Sequence, residues 1–189
     1  MNQCTQWLGY HGTSVLCANS IINTNFNVSR QENDWLGTGA YFFIESPGLL
    51  APEEKAAQWA NIRASNARPN YTNLAVLEAT IEVEQYLDLD NDEHIAALNK
   101  VREVYMEIMK SEGKKPTGNR LFDKCCFCNY VMHEHGIDAL IRKEYIKTTR
   151  EELDYGFEGG VPNCRVLCVK DPKASVKSIR FAVERRRVR

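Results

Sequence analysis

The sequence predicts an α+β protein: a sheet-built core with helices lying against it. Three observations predict it. Several short stretches rich in β-branched and aromatic residues alternate in polarity, from Trp7–Thr13 to Ser175–Val183. Longer stretches between them repeat their apolar residues at helical spacing, as in Asp92–Glu112. Of the 189 residues, 43% are hydrophobic and 26% charged, ordinary values for a soluble globular chain.

Taken in order, Trp7–Thr13 reads as a strand. Ser14–Asn23 then reads as a helix with Val15, Ala18, Ile21 and Ile22 on one face and Ser14 as its N-cap. Ala40–Glu45 is a second strand. Pro52, Glu53 and Glu54 suit the first turn of an Ala-rich helix running to Ala64. Leu74–Val83 alternates as a strand with one apolar face turned inward. Asp92–Glu112 places Ile95, Leu98, Val101, Val104, Tyr105 and Ile108 on one helical stripe, and a further helix, Asn119–His135, stops at Gly136. Strands are expected at Ile137–Ile146, Arg165–Val169 and Ser175–Val183; Gly113–Gly118 and Thr148–Pro162 read as the least packed loops. No repeat or low-complexity linker divides the chain, so 1–189 is read as one domain.

Net charge is −1, which does not mark the whole chain as a nucleic-acid binder, although Arg185-Arg186-Arg187-Val188-Arg189 gathers basic charge. Such a run suits either a solvated end or contact with a phosphate backbone. No stretch approaches the ~20 apolar residues of a spanning helix. The start of the chain has no basic cluster followed by an apolar run, so a cytoplasmic protein with no membrane partner is expected. The seven cysteines show no disulfide-framework spacing and are expected as reduced thiols. Cys125-Cys126-Phe127-Cys128 with His133 and His135 has ligand types that suit zinc. The same run places Leu121, Cys125, Cys128 and Met132 on one helical stripe, and core packing is the reading preferred. No metal is expected. Asp88-Leu89-Asp90-Asn91-Asp92 lacks the glycine and distal glutamate of a calcium loop.

Two early segments carry the chemistry. In Tyr10-His11-Gly12-Thr13-Ser14, an imidazole precedes a glycine and two hydroxyls. The imidazole can bond a ribose hydroxyl, and Thr13 and Ser14 offer further polar contacts. Gly12 lets a planar carboxamide approach a backbone donor and acceptor. An isolated strand histidine is also compatible with a satisfied core residue. In Leu36-Gly37-Thr38-Gly39-Ala40-Tyr41-Phe42-Phe43, Tyr41 offers a ring face to a cationic pyridinium, and Gly37 and Gly39 let the backbone pass close to a nucleotide. Phe42 and Phe43 read as alternating core and surface residues of the strand. Trp59 could supply the opposite wall of a sandwich.

These segments, with Ala57-Gln58-Trp59-Ala60, resemble the catalytic domain of the poly-ADP-ribose polymerase and diphtheria-toxin branch of ADP-ribosyltransferases, in a bacterial or phage-type stand-alone form. The resemblance covers roughly the first sixty residues and a late pattern, Arg165–Pro172. It implies two packed antiparallel sheets with an NAD cleft between them. It also implies a catalytic His–Tyr–Glu triad, in which His11 and Tyr41 match the first two members. His11, Gly12, Thr13, Ser14, Leu36, Gly37, Gly39, Tyr41 and Trp59 would bind NAD as co-substrate. The third position falls near Val166, which cannot bond a ribose hydroxyl. Glu158, the nearest upstream acid, is chosen instead because a carboxylate there would offset charge on an oxocarbenium-like ribose. The activity implied is transfer of ADP-ribose to a macromolecular acceptor (protein, RNA or DNA) by a toxin or effector, with a neutralising antitoxin as a further partner. Two alternatives remain: a non-catalytic NAD or ADP-ribose-binding module, and an RNA 2′-phosphotransferase-like enzyme.

Overall fold

The computed structural model describes residues 4–28, 31, 34–67, 69–156 and 159–189. Glu158 lies outside the described residues. In chain order the elements are β1 (Thr5–Ser14), α1 (Val15–Thr24), β2 (Ala40–Ile44), α2 (Pro52–Arg63), β3 (Asn73–Val83), β4 (Tyr86–Asp88), α3 (Asp92–Ser111), α4 (Arg120–Glu134), β5 (Ala139–Glu144), α5 (Arg150–Asp154), β6 (Cys164–Val169), α6 (Pro172–Ser175) and β7 (Val176–Arg187).

All seven strands join one sheet in the order β4-β5-β6-β2-β1-β3-β7, which corrects the expectation of two packed antiparallel sheets. The sheet is mixed: β4 and β5 pair in parallel and the other neighbours antiparallel. A parallel pair needs a long crossover, and α3 and α4 lie in the one between β4 and β5. Helices cover both faces, so the strands bury both sets of side chains. Tyr41, Phe43, Leu74, Val76, Leu140 and Val166 pack on the side of α2 and α4. Phe42, Ile44, Ala75, Leu77, Ile141 and Leu167 pack on the side of α1. That is why Leu74–Leu77 is buried without interruption instead of showing one apolar face.

Most helix ends follow their sequence signals. Ser14 caps α1 by accepting from the Cys17 N–H at 3.1 Å. Asn91 and Asn119 cap α3 and α4, and Gly136, at φ +63°, follows α4. The α3 stripe packs loosely: Leu98 is buried, Val104 is half-exposed, and Ile95 and Tyr105 line an apolar groove against α4. The segment expected to be least packed contains α5, closed by a capping box in which Thr149 and Glu152 bond each other's backbone. The arginine run is not a free end. It extends β7 along β3, with Arg186 paired to Glu54 at 3.0 Å and Arg185 bonded to Asn73.

Cys125 and Cys128 turn into the core on α4, whereas His133 and His135 are exposed. Burial pushes the Cys128 thiol up to about 12, the behaviour of a small core side chain. Among the described residues no helix is long and apolar enough to cross a membrane.

Candidate functional site

The site forms where two neighbouring strands part. β1 and β2 are paired at Gly9↔Ile44 and Tyr10↔Phe43, and the pairing goes no further. β1 continues to Ser14 along β3, while β2 holds to β6 through Tyr41 and Ala40. The fork opens beside His11. A cleft of about 700 Å³ lies there, lined by His11, Gly12, Thr13, Ser14, Tyr41 and Trp59 together with Trp35, Arg63 and Tyr71. Six residues singled out from the sequence therefore meet at one cavity, of a size that suits a small-molecule site.

His11 is fixed and its tautomer assigned by its partner. Nδ1 lies 2.9 Å from the Tyr41 carbonyl oxygen, which can only accept, so Nδ1 carries the proton. The ring sits edge-on to Phe26 with 5.2 Å between centroids. Burial lowers the pKa of His11 below its ordinary value, and the bond to the Tyr41 carbonyl offsets this only in part. The imidazole is therefore neutral near pH 7, with Nε2 as a lone-pair acceptor.

Gly12 owes its identity to packing as well as to access. A Cβ on it would lie 1.8 Å from the Ala56 carbonyl oxygen, so α2 crosses β1 at backbone contact. That contact brings Trp59 and Arg63 to the cleft. Ser14 lines the cleft too, although its oxygen already accepts the α1 cap bond.

Tyr41 presents its ring to the cleft and spends its hydroxyl on the fold. The oxygen accepts from the Leu36 N–H at 2.8 Å and donates to the Gly37 carbonyl at 2.5 Å. Burial raises its pKa far above the usual phenol value. Leu36, Gly37 and Gly39 do not line the cleft. Leu36 is fully buried. A Cβ on Gly37 would meet Asn129 and Met132 of α4, and one on Gly39 would meet Cys168 and the Val169 backbone of β6. Asn129 holds the same loop by accepting from the Thr38 N–H at 2.6 Å. Tyr41→Phe is thus expected to cost about 1–3 kcal/mol by leaving the buried Leu36 N–H unpaired. Urea unfolding measures it. The stacking face is unchanged, so affinity for a ring stacked there is expected to persist.

Trp35, Arg63 and Tyr71 are among the cleft residues that carry no role in the sequence reading. Trp35 stands between the two expected walls, 6.1 Å from the Tyr41 ring at 86° and 5.2 Å from the Trp59 ring at 62°. A flat ligand entering between Tyr41 and Trp59 therefore displaces Trp35 or stacks on it. Arg63 lies over Trp59, 5.5 Å from the ring centroid, and forms no ion pair among the described residues. Its spacing of four from Trp59 on one helix was a readable signal. Tyr71 braces α2 by donating to the Ala60 carbonyl at 2.5 Å.

Val166, at the position where the resemblance calls for a carboxylate, is buried in the core opposite Phe43. No protein-family model matches the sequence, and no curated protein is found to be similar to it.

Proposed function

We propose that this protein is an NAD-dependent ADP-ribosyltransferase acting on a macromolecular acceptor. The observation that carries the reading is the convergence of His11, Gly12, Thr13, Tyr41 and Trp59 on one cleft at a strand fork, with His11 held neutral. A neutral Nε2 accepts a hydrogen bond from a ribose hydroxyl and fixes the sugar against rotation. Aromatic faces at Tyr41, Trp35 and Trp59 suit the flat cationic nicotinamide. Arg63 supplies positive charge for a diphosphate. In the reaction the bond from nicotinamide N1 to ribose C1′ breaks and nicotinamide leaves with the electron pair. The acceptor's nucleophile bonds C1′ and loses a proton. The protein's share is orientation and exclusion of water. Glu158 is the proposed carboxylate facing the positive ribose.

The buried Val166 favours a second reading, a module that binds NAD or ADP-ribose without transferring it. One experiment separates the two. The protein is incubated with NAD labelled in its adenylate half and a cell lysate, followed by protease or nuclease. Protease- or nuclease-sensitive label that a His11→Ala variant fails to deposit supports transfer. Tryptophan quenching by NAD without any labelled macromolecule supports the module. Neither signal overturns both.

A further inference from the structure

A second cavity, of about 470 Å³, lies on the far flank of α2. Its lining from the helix is Glu54, Ala57, Gln58 and Asn61, spaced i, i+3, i+4, i+7. Trp59 and Arg63, which face the nicotinamide-type cleft, lie on roughly the opposite side of the same helix, about 10 Å away across its width. The remaining walls come chiefly from the end of β7 and the strand-to-α5 turn: Arg186, Arg187, Arg189 and Thr148.

What this cavity offers is almost wholly hydrogen-bond donors. Thr148 receives the Lys55 ammonium on its hydroxyl oxygen at 2.9 Å and donates its own proton to the Gln58 side-chain carbonyl at 2.8 Å. The Asn61 side-chain carbonyl accepts the Arg189 backbone N–H at 2.8 Å. Both amide oxygens are thus committed inside the protein, and each amide keeps its NH₂ for the cavity. Arg186 is neutralised by Glu54. The side chains of Arg187 and Arg189 have no acidic partner among the described residues. Two uncompensated guanidiniums beside two amide donors form a site for anions, on a chain whose net charge is only −1.

We propose that this cavity seats the phosphodiester backbone of a nucleic acid, so that the acceptor of the transferase is RNA or DNA. The proposal rests on the transferase reading only for the word acceptor. A strand gripped by Arg187 and Arg189 passes α2 within a helix width of the cleft. Guanidiniums and amides there contact phosphate oxygens and carry no base recognition, so the grip is independent of sequence.

The test is fluorescence anisotropy of the full chain with fluorescein-labelled 20-mers of single-stranded RNA and of single-stranded DNA, across a range of salt. Binding that weakens with salt is expected, with a slope that shrinks by about 1.4 in Arg187→Ala/Arg189→Ala, two contacts at ~0.7 each. Arg180→Ala, which removes an exposed β7 arginine paired to Glu78 outside the cavity, is expected to bind within about twofold of wild type. Tighter binding of one oligonucleotide identifies which nucleic acid the cavity prefers. Absence of binding to both, an unchanged slope in the double variant, or an equal loss in Arg180→Ala overturns the proposal. Quenching by NAD, measured on the same variants, keeps the two ideas apart. Oligonucleotide binding lost in the double variant while NAD still binds supports the basic cavity. Oligonucleotide binding without any response to NAD leaves the cavity standing and overturns the transferase reading.

Discussion

Gly12→Ala is expected to destabilise the protein by more than the ~1–3 kcal/mol typical of an overpacked core, and to abolish NAD binding with it. The added methyl would sit 1.8 Å from the Ala56 carbonyl oxygen and 2.6 Å from its carbon, both backbone atoms of α2. A flexible side chain could swing aside; a helix backbone moves only as a whole. α2 is also held by Lys55, whose ammonium reaches Thr148 and the Ile146 carbonyl, and by Tyr71 bonded to the Ala60 carbonyl. Displacing the helix therefore strains those anchors and carries Trp59 and Arg63 away from His11. Urea unfolding and tryptophan quenching by NAD read the two effects. Gly48→Ala is the comparison. Gly48 sits at φ +78°, unlike Gly12, and nothing lies within 4 Å of the new methyl, so the backbone strain alone is expected to cost about 1–2 kcal/mol and NAD quenching to stay normal. Equal behaviour of the two variants would show that the close crossing of α2 over β1 does not position the site.

The same glycine marks the limit of what the sequence could reveal. A residue that lets a ligand approach and one that lets a helix approach look alike in a string of letters. Gly12 lines the cleft and also seats α2, while Gly37 and Gly39 seat α4 and β6 and do not line the cleft. Periodicity was the dependable signal. Long elements such as β3, α3 and α4 span nearly the ranges that their apolar patterns marked, even where their burial differs from the pattern. The short elements β4, α5 and α6, of three to five residues, show no period of their own. The capping box of α5, Thr149 with Glu152, was nevertheless legible by spacing alone. Whether strands form one sheet or two depends on non-local pairing, such as β6 inserting between β5 and β2, which no local pattern encodes. Trp35 is a similar case. Its place between Tyr41 and Trp59 follows from the loop that the Tyr41 hydroxyl ties down, and only the folded loop brings the three rings together.

Electrostatics at His11 leads to the second large effect. His11→Ala is expected to lower the rate of ADP-ribose transfer by about 100-fold or more, since a positioned imidazole contributes on that scale and a misaligned sugar is penalised comparably. The variant is expected to fold, because the ring is only partly enclosed at the cleft and its one hydrogen bond goes to a carbonyl beside the opening. If the protein acts as a toxin in bacteria, its expression arrests growth and the same substitution relieves the arrest. The pH dependence follows from the direction of the shift. His11 is held below its ordinary 6.5 in the folded state, so as pH falls past about 6.5 the unfolded chain takes up its proton first. Stability linked to this group is therefore full above pH 6.5 and is lost progressively below it, until the folded-state pKa is passed. His11→Ala removes that acid-side loss, which urea midpoints measured from neutral pH downward would resolve as a shallower slope. Transfer by the wild type requires the neutral ring, so its rate is expected to hold through pH 6.5 and to decline only at lower pH. A rate that rises as pH falls through that range would mean that the protonated imidazole is the working form, and the assignment of Nε2 as an acceptor for the ribose would be lost.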